Sequence, residues 1–161
     1  MIKYLLTLLI IFSFNTLAKD QCEFLDSLSP YQRSVAYQAY RAGQPFDLEL
    51  TTVAIAWQES KLGIYKIRYR HNELSVGIAH TLVKYKTKGM TNFERDIWVQ
   101  NMIQDDARSI NVMIQDLLYW KNIFNGSWKK MVQGYNAGFG KNPQYINDIT
   151  NTVKHLKHCE F

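Results

Sequence analysis

Three short stretches carry side chains suited to chemistry. The first, residues 54–63 (AIAWQESKLG), has helical spacing and carries Glu59 followed by Ser60. Residues three and four apart share a helix face, so Thr52, Ile55, Ala56, Glu59 and Leu62 form one mainly apolar stripe. A carboxylate on such a face loses hydration, which disfavours its charged form; a general acid needs that condition. The alternative is a glutamate near a helix end that bends out to water. The C-terminal end of a helix disfavours negative charge, so local preference does not account for a glutamate here. Such a misfit is expected where function overrides local preference. Ser60 is placed either to orient the carboxylate or to bond back to its own helix backbone.

The second stretch is Ser75-Val76-Gly77-Ile78-Ala79-His80, whose glycine marks either a close backbone approach or an ordinary turn. The third is Gly134-Tyr135-Asn136-Ala137-Gly138. An asparagine amide both donates to and accepts from an amide or sugar hydroxyl, and a tyrosine ring offers a flat apolar face to a sugar. The plain alternatives are Asn136 as a helix terminator and Tyr135 as core filler. Neither stretch is specific alone.

Their order along the chain is more specific. Glu59-Ser60, then Gly77-Ile78-Ala79-His80, then Ser109-Ile110-Asn111 with Asp116-Leu117-Leu118, then Tyr135-Asn136-Ala137-Gly138, resembles the soluble lytic transglycosylase family, relatives of goose-type lysozyme. The resemblance covers roughly residues 46–156. It implies a lysozyme-like α+β fold and cleavage of the β-1,4 bond between N-acetylmuramic acid and N-acetylglucosamine in peptidoglycan, leaving a 1,6-anhydro product. It implies Glu59 as general acid and base. Ser60, Gly77, Ile78, His80, Tyr135 and Asn136 would lie around the substrate, with Tyr145 on the last helix. No cofactor or metal is implied, and His71, His80, His155 and His158 form no HExxH-type pair. Two departures stand out. Ala79-His80 replaces the family's Met-Gln, which faces the cleft, and Phe139 replaces a common proline.

Most glycosidases use two carboxylates. The sequence shows no obvious second one; Glu73 reads as an exposed loop residue. A single carboxylate suits substrate-assisted chemistry. Two further readings stay open: a lysozyme-type muramidase with a water nucleophile, and a catalytically weak peptidoglycan-binding or assembly module. A cysteine peptidase is the weakest, since neither cysteine sits in a helix-start or histidine-paired motif.

The elements that must position these residues are mainly helical. Ser29-Pro30-Tyr31-Gln32 is a capping box with proline at the first helical position, and Gly43 is a natural stop. Asp47 is expected to cap the next helix, running to about Leu62 and ending at Gly63. Thr91-Asn92-Phe93-Glu94 is a second capping box. Beyond it Ile103, Ala107, Ile110, Ile114 and Leu117 recur at helical spacing as far as Asn125-Gly126. Ser127 caps a short helix, and a last one runs over about 144–156. Residues 64–69 alternate weakly and residues 81–85 are partly β-branched, which predicts a small hairpin or looped insert. The expected fold is one mainly α domain with that insert in its first half.

The 161 residues are 47% hydrophobic, enough for one domain with a core. Lys3, the apolar run at 4–14 and Thr16-Leu17-Ala18 form a secretory signal pattern with cleavage after Ala18, leaving a domain over 19–161. A retained membrane anchor is the alternative, although the run is about half of the roughly 20 residues a span needs. Export would place the chain in the periplasm or outside the cell, where Cys22 and Cys159, its two cysteines, are expected to pair. The formal charge of +5 is scattered, with a modest cluster at Lys66, Arg68, Arg70, Lys84, Lys86 and Lys88. For an exported chain it fits an anionic wall or a solvated face better than nucleic acid. The expected partner is the peptidoglycan glycan strand. Settings compatible with size and export are a secretion or conjugation apparatus spanning the envelope, murein turnover, or a phage.

Overall fold

The helix that carries Glu59 lies at the centre of the molecule. A computed structural model describes residues 22–161; the expected signal peptide lies outside the described residues. The chain order is α1 (Glu23–Asp26), α2 (Pro30–Gly43), a 3-10 turn (Gln44–Phe46), α3 (Glu49–Ser60), β1 (Ile67–Arg70), β2 (Glu73–Val76), β3 (Thr81–Leu82), α4 (Val83–Lys86), α5 (Asn92–Gln104), α6 (Asp106–Ile123), α7 (Trp128–Ala137) and α8 (Pro143–Leu156). The strands form one antiparallel sheet in the order β1-β2-β3, with Ile67 opposite Val76 and Val76 opposite Thr81. The expected mainly α domain with a small hairpin insert is the architecture observed.

α3 packs against α2, α6 and α8. Its residues Thr51, Thr52, Val53, Ala54, Ile55 and Ala56 are all buried, so the helix is enclosed on nearly every side rather than along one stripe. The main core gathers Val35 and Ala39 of α2, Ile110, Met113 and Leu117 of α6, Met131 and Val132 of α7, and Ile149 of α8 around it. A smaller cluster of Val76, Val83 and Met102 lies under the sheet, backed by Trp98 and Val99.

Both capping boxes form. Ser29 accepts from the Gln32 N–H while the Gln32 side chain accepts from the Ser29 N–H, and Thr91 and Glu94 repeat the arrangement. Three expectations need correction. Asp47 does not cap α3: it is left-handed (φ 58°) and ends the 3-10 turn, and Leu48 precedes α3 with no side-chain cap. The long helix after Thr91 is two helices. Asp105 is extended, ends α5 through its own N–H to the Asn101 carbonyl, and starts α6 by accepting from the Arg108 N–H at 2.9 Å. Residues 81–85 split between β3 and α4. α3 itself ends at Ser60, two residues before the expected stop. Lys61 and Leu62 are both left-handed (φ 53° and 54°), and the Leu62 N–H reaches the Ala56 carbonyl in a Schellman-type closure.

Cys22 and Cys159 are disulfide-bonded, with Cα atoms 5.0 Å apart and a sequence separation of 137. Such a bridge fits an oxidising compartment. Among the described residues no helix is long and apolar enough to cross a membrane. Replacing both cysteines by serine is expected to lower the unfolding free energy by about 2–5 kcal/mol. Urea denaturation of the two proteins measures this, with circular dichroism checking that helix content is kept.

Candidate active site

Glu59 sits in the last turn of α3. The left-handed exit at Lys61 turns the chain away, so no further helical turn covers the carboxylate. Its side chain is only 6% exposed and points into a cleft of about 720 Å³. One wall comes from the sheet side, through Arg68, Thr81, Leu82 and Tyr85; the other comes from α6 and α7, through Tyr119, Trp120 and residues 134–138.

Three groups, from β1, α8 and the turn between β2 and β3, meet the carboxylate. The Tyr145 hydroxyl of α8 donates to Oε1 at 2.8 Å. An Arg68 guanidinium nitrogen of β1 donates to Oε2 at 3.1 Å. His80 Nδ1 lies 3.5 Å from the same Oε2, with the His80 side chain 4% exposed. Burial, then the charge of Glu59, push the Tyr145 phenol well above its ordinary value, and Arg68 only partly offsets this. Tyr135 is raised well above its ordinary value too, by burial first and then by the charges of Glu59 and Asp116. Both phenols therefore stay protonated and serve as donors; that of Tyr135 bonds the Ala79 carbonyl at 3.1 Å.

The expected site residues divide into two groups. Glu59, His80, Tyr135 and Asn136 line the cleft, and Tyr145 reaches it through Glu59. Asn136 is exposed there, its amide oxygen accepting from the Asn142 amide at 2.7 Å. Ser60, Gly77 and Ile78 are not among the cleft-lining residues. Ser60 is fully buried; its hydroxyl donates to the Ile78 carbonyl at 2.6 Å and accepts from the Gly63 N–H at 2.9 Å, so it does not orient the Glu59 carboxylate. The Ile78 N–H donates to Ser109 Oγ of α6 at 2.7 Å. Both backbone polar groups of Ile78 are thus held by serine hydroxyls from two helices. Gly77 is left-handed (φ +84°), and a Cβ on it would lie 2.2 Å from Ser109 Oγ. Here the glycine is required by conformation and by space together.

Three cleft residues escaped the sequence reading. Arg68 looked like one member of a basic cluster. That cluster is largely paired instead: Lys66 with Asp106, Arg68 with Glu59, Lys84 with Glu73 and Lys86 with Asp116. Asp116 is a second carboxylate in the cleft, on α6, and was legible only as part of a motif. Trp120 belongs to an aromatic group at the cleft edge, stacked on Phe124 at 5.7 Å and edge-on to Phe139 at 5.4 Å. Glu73 lies on β2 rather than in a loop, and is not among the cleft-lining residues.

Compared with known protein families, with curated proteins and with solved structures, the chain finds no match. Fold and site alone therefore define its class: a mainly α protein whose central helix ends in a buried glutamate at the base of a polar and aromatic cleft.

Gly77→Ala is expected to cost about 2–4 kcal/mol, from the left-handed backbone and the overlap with Ser109. Urea denaturation measures it; a variant as stable as the parent would contradict the clamp on Ile78.

Proposed function

We propose that the protein is an exported peptidoglycan lytic transglycosylase acting in the periplasm or outside the cell. The observation that carries the reading is the surroundings of Glu59. It is a desolvated carboxylate at the base of a cleft of about 720 Å³, oriented by Tyr145 and bordered by Asn136 and aromatic rings. These are the parts a general acid needs beside a polar, flat-faced substrate.

In the reaction, protonated Glu59 gives its proton to the glycosidic oxygen as the C1–O bond breaks. The substrate's acetamido oxygen shields C1, held by a donor of the Asn136 amide, whose oxygen is taken by Asn142. The C6 hydroxyl of the same sugar then bonds to C1 and returns its proton to Glu59, closing a 1,6-anhydro ring. The fixed Tyr145 donor keeps Glu59 oriented through both steps, because the phenol does not ionise in this environment. An envelope-spanning secretion or conjugation machine is the partner that this activity and export would suit.

Asp116 favours a second reading, lysozyme-type hydrolysis. It places another carboxylate in the same cleft, ion-paired to Lys86 and 28% exposed. Two carboxylates across a scissile bond activate water instead of a sugar hydroxyl.

Digestion of purified peptidoglycan followed by mass spectrometry of the fragments separates the two. Anhydro-ended fragments are expected, with release reduced about 10²–10⁴-fold by Glu59→Gln and far less by Asp116→Asn. Reducing ends that disappear in both variants would replace the first reading with the second. Undiminished release by Glu59→Gln would sink both.

A further inference from the structure

His80 is the departure from the family's pattern that meets the acid itself, and its two ring nitrogens have unequal partners. Nε2 lies 2.6 Å from the Tyr65 carbonyl. A carbonyl only accepts, so Nε2 carries a proton in every charge state of the ring. Nδ1 is buried with no hydrogen-bond partner and faces Glu59 Oε2 at 3.5 Å. If His80 is neutral and Glu59 ionised, two lone pairs oppose each other in a desolvated gap. If both are protonated, two hydrogens do. A single proton in the gap avoids both.

We propose that His80 and Glu59 hold one proton between them, and that His80 is the positioning residue that keeps the acid loaded. This rests on the reading of Glu59 as the acid. The geometry assigns the proton to Oε2, because that is the oxygen Nδ1 faces. Bringing Nδ1 and Oε2 to hydrogen-bond distance takes a shift of about half an ångström. In the loading step the Nδ1–H bond breaks and the Oε2–H bond forms, while Nε2–H stays on the Tyr65 carbonyl. Oε2 then delivers this proton to the leaving oxygen, and the C6 hydroxyl proton restores the pair.

The charged and titratable groups facing the pair are few. Arg68 of β1 contacts the same Oε2; it attracts the carboxylate and repels a charged imidazole, so its two effects on the proton's position oppose each other. At 45% exposure its side chain has room to swing into solvent and leave Oε2 to a glycan. Tyr145 of α8 and Tyr135 of α7 remain neutral donors. Asp116 of α6 and Lys86 of α4 line the same cleft and neutralise each other. A glutamine at position 80 would supply hydrogen bonds but no exchangeable charge. The histidine thus extends the acid's working range to higher pH.

The experiment uses the chain from Cys22 onward with its disulfide intact, ¹⁵N-labelled at histidine. The ring nitrogens of His80 are followed by NMR across pH in the parent and in Glu59→Gln. The expected result is a protonated Nε2 at high pH and a His80 midpoint about one pH unit or more lower in Glu59→Gln, because an opposite charge has been removed. An unchanged midpoint overturns the shared proton. In parallel, the rate of muropeptide release is measured against pH. His80→Gln is expected to move the alkaline limb to lower pH; an unmoved limb overturns the loading role. If the parent releases no fragments at any pH, the proposed activity fails, while the nitrogen titration still decides the pair.

Discussion

The clamp on Ile78 is the constraint on which the site depends. A buried residue must have its backbone N–H and C=O satisfied, and an unmet group costs roughly 1–3 kcal/mol. At Ile78 the chain has left β2 through left-handed Gly77, so no ladder partner meets these two groups. Ser109 takes one and Ser60 takes the other. Those two hydrogen bonds join α3, the exit of the sheet and α6 at one residue. They therefore set how far Glu59, adjacent to Ser60, stands from His80, two residues past Ile78. The site's side chains come from six separated stretches, and this single residue indexes two of them against a third.

Around that frame the electrostatics are local. A chain of formal charge +5 could present an open basic face, but four of its cations on the sheet side and α4 each meet a carboxylate. Of these pairs, Lys86–Asp116 lines the cleft beside Arg68–Glu59, and its two charges offset each other there. Such a cleft suits a substrate read through hydroxyls, amides and ring faces. The two phenols beside Glu59 add donors that keep their protons.

Features set by neighbours in sequence were legible before the structure: the two capping boxes, the stop near Gly63 and the small hairpin. The distant pairing of Cys22 with Cys159 was legible because the chain has two cysteines. The resemblance brought Tyr145, which stands on Glu59. What was not legible depends on partners far along the chain. Ser60 had two local readings; its hydroxyl does reach back to the Ala56 carbonyl at 3.3 Å, but the shorter contact, 2.6 Å, is to a carbonyl 18 residues away. Arg68 and Asp116 showed no spacing that separates a cleft residue from a surface charge. The break at Asp105 did have a local signal, an aspartate able to cap, but apolar spacing runs through it on both sides. Asp47 failed for the opposite reason. It has capping chemistry, yet the 3-10 turn before it puts its backbone in the left-handed region, where a cap cannot form.

The Cys22–Cys159 bridge makes residues 22–159 a covalent ring. A ring has no loose end within it. One protease cut in an exposed turn, such as that at Asn125-Gly126, opens the ring into a single strand instead of releasing two pieces. The halves that carry Glu59 and Asn136 then remain tethered and can find each other again. A protein exposed to the proteases of an oxidising compartment would outlast its first nick.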